Sequence, residues 1–137
     1  AQNQYPGRFA AHMMYSPNLS TAIYGGADLF LMPSISEPCG LSQMIAMRYG
    51  TIPVVRETGG LRDSVVPYNK FTGEGTGFSF ANINVQEMTG VLSEAVNLYH
   101  NEPKAWKALQ KNAMTADFSW EKSAKAYEEI YGWVTGK

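Results

Sequence analysis

A single cysteine, Cys39, stands among 137 residues. No internal disulfide framework is open to this chain, and a lone thiol fits a reducing compartment, which points to the cytoplasm. No apolar run comes near the roughly 18 residues of a membrane-spanning helix. Charge of one sign is lacking as well: eleven basic residues face twelve acidic ones, for a formal net charge of −1. Without a basic stripe, neither nucleic acid nor an acidic membrane surface is an expected partner. His12 and His100 are the only histidines. No His or carboxylate cluster stands at ligand spacing, so no metal and no cofactor are expected. His12 is read as structural and His100 as a surface residue. The first six residues carry neither a charged n-region nor an apolar h-region, which excludes a signal peptide. The chain does not begin with Met and is read as a piece of a longer polypeptide.

What is present is the composition of a soluble globular domain. Hydrophobic residues make up 45% and aromatics 12%, too much apolar surface for a disordered chain. The length suffices for one domain with its own core.

Along the chain, strand and helix signals alternate. Residues 9–15 form a short apolar run and predict a buried strand ending at Tyr15. Ser16-Pro17 reads as an N-cap with proline at the first helical position, opening a helix to about Tyr24 that Gly25-Gly26 ends. Residues 28–33 are nearly all apolar, the pattern of a strand covered on both faces. A loop at 34–38 leads to a helix over 40–49. Residues 52–55 predict a second buried strand, with Pro53 tolerable only near its start. A short helix follows at 61–66, then a polar, Gly-rich loop at 67–76 that reads as exposed and mobile. Residues 77–81 predict a last short strand. Asn84 with Glu87 forms a near capping box before a long helix. Two further helices are predicted, over 103–116 and from Trp120 onward. The whole is an α/β fold: a parallel sheet of about four strands over about 8–82, with flanking helices, and a helical part over about 84–135.

The candidate site lies at the carboxyl ends of the strands, where such sheets bind ligands. Glu37 follows the 28–33 strand. Its bland alternative is a solvated loop acid, but Pro38 and Gly40 beside it stiffen and open the backbone at a strand end. Cys39, Gly40 and Leu41 are expected in the first turn of the next helix, where unpaired N–H groups and a positive dipole suit phosphate. Gly59-Gly60 repeats the arrangement after the next strand, and Thr58 and Leu61 flank it. Two such turns in register suggest one shared site. A sugar diphosphate needs both parts, acceptors for its hydroxyls and donors for its phosphates. Cys39 lacks a nearby base and is read as a small packed residue lining the pocket rather than a nucleophile. Tyr15 could stack on a nucleotide base or simply pack.

At this point a resemblance becomes specific. Pro33-Ser34, Glu37-Pro38-Cys39-Gly40-Leu41, Gln43, residues 47–51, Pro53, Val55 and Thr58-Gly59-Gly60-Leu61 together resemble the bacterial glycogen synthases and plant starch synthases. Residues 25–28 and Asp117-Phe118-Ser119-Trp120 fit as well. The resemblance implies the second half of the Rossmann-like C-terminal domain of a retaining GT-B glycosyltransferase. Such an enzyme moves glucose from ADP-glucose to the 4-OH of an α-1,4-glucan. It also implies that Glu37, the catalytic candidate, holds hydroxyls of the donor glucose. Cys39, Gly40 and Leu41 would line the glucose and phosphate site, Gly59 and Gly60 would lie beside the donor, and Tyr15 would lie against adenine. Related glycosyltransferases carry a second Glu eight residues after the first. Here that position is Ile45, a departure that argues against the sucrose-synthase-like branch. The family's basic residues for the diphosphate and its acceptor-side domain fall upstream of this chain, so the chain alone is expected to be inactive. The last helix is implied to pack on the missing domain. In its absence, the aromatic face would be exposed or buried against a second copy, as a homo-oligomer. Two other readings stand beside this one. The first is the donor domain of another retaining nucleotide-sugar transferase, using UDP-glucose. The second is a non-catalytic nucleotide-binding module.

Overall fold

The computed structural model describes residues 3–136. Three strands form one parallel sheet: β1 (Leu29–Met32), β2 (Ile52–Arg56) and β3 (Phe78–Phe80), in that order across the sheet. Among the described residues the strand order therefore does not reverse. The helices are α1 (Pro17–Gly26), α2 (Ser42–Arg48), α3 (Gly60–Ser64), α4 (Val85–Asn101), α5 (Pro103–Thr115) and α6 (Trp120–Thr135).

The α/β architecture expected from the alternating pattern is present, with one strand fewer. The 9–15 run forms no strand. Met13, Met14 and Tyr15 are 100%, 67% and 93% exposed. An apolar run becomes a buried strand only when it has both an edge to pair with and layers to cover its faces. This one joins no strand ladder among the described residues and is left exposed, and His12 within it is exposed rather than structural.

β2 is central because it can be: Ile52 to Val55 are all buried. Its proline is tolerated for a positional reason. The Ile52 N–H donates to the Asp28 carbonyl on the β1 side at 3.0 Å. Bonding alternates along a parallel strand, so the missing N–H of Pro53 faces the β3 side. Pairing there starts only at Val54 opposite Phe78.

The core joins Met47, Ile52, Val54, Val55, Leu61 and Phe78 with Ala95, Leu98, Trp106, Leu109 and Ala113 from the helices. α2 packs on β1 and β2, α4 on β3, and α5 on β2, α2 and α4. α5 is fastened to the end of α2 as well. Gln110 Nε2 donates to the Gly50 carbonyl at 2.9 Å, and Arg48 Nη1 to the Met114 carbonyl at 3.0 Å. Thr51 Oγ1 donates at 2.6 and 2.8 Å to the Tyr24 and Ala27 carbonyls and so ties α1 to β2. Neither α1 nor α6 has a fully buried residue.

Candidate functional site

β1 and β2 are adjacent and parallel, so their carboxyl ends open on the same side of the sheet. The chain leaves β1 through residues 33–41 and leaves β2 through residues 57–59, which brings the two turns together. The Gly60 N–H donates to the Glu37 carbonyl at 3.0 Å. A Cβ on Gly60 would collide with the Cys39 carbonyl, and one on Gly59, whose φ is +45°, with the Glu37 carbonyl. Only glycine admits this backbone approach. The spacing of Glu37 and Gly59-Gly60 in the sequence thus becomes direct contact in space.

Two side chains outside the expected set hold the turns. Gln43, fully buried on α2, donates through Nε2 to the Gly40 carbonyl at 2.8 Å and to Ser64 Oγ at 2.9 Å. Ser64 Oγ in turn donates to the Gly60 carbonyl at 2.6 Å. A polar bridge therefore runs from one glycine turn to the other. Gly40 has φ +73°, and a Cβ there would stand 2.7 Å from Gln43 Oε1. Arg56, at the end of β2, donates through Nη1 to the Ile35 carbonyl at 2.7 Å and the Ser34 carbonyl at 3.3 Å, which fixes the approach to Glu37. Gln43 did leave a trace in the sequence: a polar residue on the buried stripe it shares with Ala46 and Met47. Arg56 left none beyond its place at a strand end.

The Glu37 side chain is half-buried, and Ser34 Oγ donates to its Oε2 at 3.4 Å. No lysine or arginine pairs with it among the described residues, so its remaining acceptor capacity is open to hydroxyl donors. α2 begins at Ser42 with Leu41 as its N-cap. Cys39 and Gly40 therefore lie in the loop before the helix rather than in its first turn. Among the described residues, the N–H groups of Cys39, Gly40 and Leu41 find no protein acceptor. The Gly60 N–H, in contrast, is used on the Glu37 carbonyl and so helps to position the acid. Cys39 is exposed, which corrects the expectation of a packed residue. With its carbonyl lodged against Gly60, the side chain turns outward. Tyr15, 93% exposed beside the N-cap of α1, touches neither turn. No group of three metal-ligating side chains occurs among the described residues, and no described helix is long and apolar enough to cross a membrane.

Parallel strands with glycine turns and an acid at their carboxyl ends fit an α/β glycosyltransferase domain. The Glycosyl transferases group 1 family model matches residues 11–115, and the chain belongs to that family. It is similar to the glycogen synthase of Lachnospira eligens, 52% identical over 93% of this chain and 27% of that protein. The glycogen synthase of Fusobacterium nucleatum is 55% identical over the same shares. That of Acholeplasma laidlawii is 50% identical over 98% of the chain and 28% of that protein. Among solved structures it resembles the catalytic domain of starch synthase IV from Arabidopsis thaliana, bound to ADP and acarbose. The TM-score is 0.78 at 44% identity, over 90% of this chain and 26% of that one. The sucrose-phosphate synthase of Thermosynechococcus elongatus is more distant: TM-score 0.59 and 25% identity, over 82% and 27%. The resemblance read from the residues is thus borne out, as is the Rossmann-like α/β fold of a GT-B C-terminal domain. The chain spans about a quarter of the length of these relatives.

Proposed function

We propose that this chain is the donor-binding part of a glycogen or starch synthase, which transfers glucose from ADP-glucose to the 4-OH of an α-1,4-glucan with retention. The observation that carries this reading is the contact between the two turns. Glu37 is held by Gly60 beside three free backbone N–H groups, at residues 39–41. The carboxylate accepts donor glucose hydroxyls; the N–H groups face the sugar and its phosphates. Support also comes from the relatives, several of which are glycogen synthases. The starch synthase neighbour was solved with ADP and acarbose, a nucleotide and an oligosaccharide of the classes the reading requires.

In this reading Tyr15 lies against adenine once donor and upstream residues are in place. In the same reading Glu37 serves to bind and orient, while Glu57 in the second turn is engaged by Ser79 Oγ at 2.7 Å. With Ile45 at the position of a second acid, the chain lacks a carboxylate pair for a double-displacement route. Deprotonation of the acceptor then falls to the leaving phosphate on the same face. The exposed thiol of Cys39 suits the reducing cytoplasm. Charges that neutralise a leaving diphosphate contribute several kcal/mol in such sites. The chain alone therefore binds ADP weakly and does not turn over.

The test joins this chain to the upstream part that its relatives possess, supplies ADP-glucose and a maltooligosaccharide, and follows ADP release. Glu37→Ala is expected to lower kcat/KM by at least about a hundredfold, on the scale of one lost charged contact in a desolvated site. A variant as fast as the parent removes Glu37 from the site. ADP should also compete better than UDP; the reverse order favours the UDP-glucose branch.

A further inference from the structure

A second site stands on the far side of the sheet's last strand. Between the 67–76 loop and α4 lies a groove of about 840 Å³, within the roughly 300–1,000 Å³ range of small-ligand sites. Its walls include the rings of Tyr68 and Phe71, the amides of Asn69 and Asn97 and the carboxylates of Glu94 and Glu102. None of the residues around Glu37 lines it.

The loop is more densely bonded than its composition suggests. Asn69 Oδ1 accepts from the Phe71 and Thr72 N–H groups at 2.9 and 3.3 Å. The Asn69 N–H donates to the Glu74 carbonyl at 2.8 Å, and the Gly73 N–H to the Asn69 carbonyl at 2.8 Å. Asn112 on α5 anchors the tip through the Gly73 carbonyl at 3.1 Å. Tyr68 packs on Phe78 with ring centroids 5.8 Å apart. All this order holds Phe71 with its ring 87% exposed. Phe71 thus presents its ring to the groove beside Tyr68, on a backbone held by these bonds.

We propose that this groove binds an α-1,4-glucan chain, apart from the donor site. The chemistry selects the ligand class. A sugar ring offers an apolar C–H face, which stacks on an aromatic ring, and a rim of hydroxyls, which donate to carboxylates and amide oxygens. Two acids outnumber the single Lys70, whose Nζ stands 5.1 Å from the Phe71 centroid, so a phosphate or nucleotide is disfavoured. An apolar peptide would leave both acids desolvated without partners. The choice of an α-1,4-linked glucose polymer rests on the function proposed above. A groove of this kind keeps a long polymer near the enzyme between additions, and so raises the local concentration of chain ends.

The test is electrophoresis of the 137-residue chain through native gels containing glycogen, a β-glucan or no polysaccharide, with ADP binding measured on the same samples. Glycogen should retard the chain and β-glucan should not. Phe71→Ala should weaken that retardation about three- to tenfold, the worth of one aromatic contact, and Glu94→Gln should weaken it too. Both side chains are exposed, so the variants should fold and their ADP binding should stay unchanged. Migration unaffected by glycogen overturns the proposal, as do equal retardation by both polymers and unaltered retardation in both variants. A chain that glycogen retards but that fails to bind ADP keeps this groove and sinks the donor site. The opposite result keeps the donor site and sinks the groove.

Discussion

Gly60 and Gln43 are the residues on which the site's geometry turns. Gly60 presses against the Cys39 carbonyl while its N–H holds the Glu37 carbonyl. Gly60→Ala forces the two turns apart, and the expected loss is about 3 kcal/mol of stability, at the upper end for overpacking, measured by urea unfolding. Stability equal to the parent would mean that the turns are not in contact. Gln43 hydrogen-bonds both the Gly40 carbonyl and Ser64 Oγ. Gln43→Leu keeps its volume but orphans those groups, so a cost of about 1–3 kcal/mol is expected. ADP affinity should fall with it, because the 39–41 loop loses its tether. Glu37 was legible from sequence as an acid at a strand end. Gln43 was not assigned a role, because burial on one face of a seven-residue helix is decided by what packs there.

At the scale of elements, α4 shows how a helix start can be tied to pH. Asn84 Oδ1 accepts from the Glu87 N–H at 2.8 Å, as the near capping box predicts. The Glu87 carboxylate reaches past the cap to the Asn82 N–H at 2.9 Å and to Asn82 Nδ2. These bonds, the Asn82 backbone N–H first, hold the Glu87 carboxyl below its ordinary range. Asp117 before α6 is lowered likewise, chiefly by the Ser119 side chain and then by its N–H. A lowered folded-state pKa means stability that is present above the unfolded value and lost as pH falls through the folded one. The protection of amides in the first turn of α4, taken relative to their intrinsic exchange rates, should therefore fall as the pH drops below the ordinary glutamate range. In Glu87→Gln that acid-induced loss of protection should be much reduced. An equal acid response in both proteins would remove Glu87 from the cap.

α6 makes the complementary point. Its bounds match the sequence expectation, because Ser119 caps it through the Lys122 N–H. Yet it leaves Trp120 86%, Tyr131 63% and Trp133 84% exposed. Local signals formed the helix; packing within the chain contributes little to holding it. Removing residues 120–137 should shift Tm by less than about 2 °C and should abolish any concentration-dependent self-association seen by light scattering. A large drop in Tm would show that α6 is packed on the rest.

For the whole molecule, much of the architecture was readable in advance. Apolar runs at 28–33 and 52–55 became β1 and β2, since strands covered on both faces show continuous hydrophobicity. Serine, asparagine and proline marked the starts of α1, α4 and α6, since capping needs only neighbours a few residues away. The fourth strand failed for a non-local reason: residues 9–15 have the composition of a strand but, among the described residues, join no ladder and stay exposed. The bonding within the 67–76 loop was hidden for a similar one. Its polar composition suggests motion, but the ring of bonds around Asn69 and the anchor from Asn112 are visible only once the chain is folded.

Residue order alone determined where the capped helices begin and that an acid and two glycine turns recur at strand ends, because each depends on contacts within a few residues. Tertiary structure decided which candidates meet. Parallel pairing of β1 with β2 put Gly60 against Glu37, and burial turned Gln43 into their tether. The same packing left Tyr15, Phe71 and the aromatic face of α6 in water, since exposure depends on residues far away along the chain.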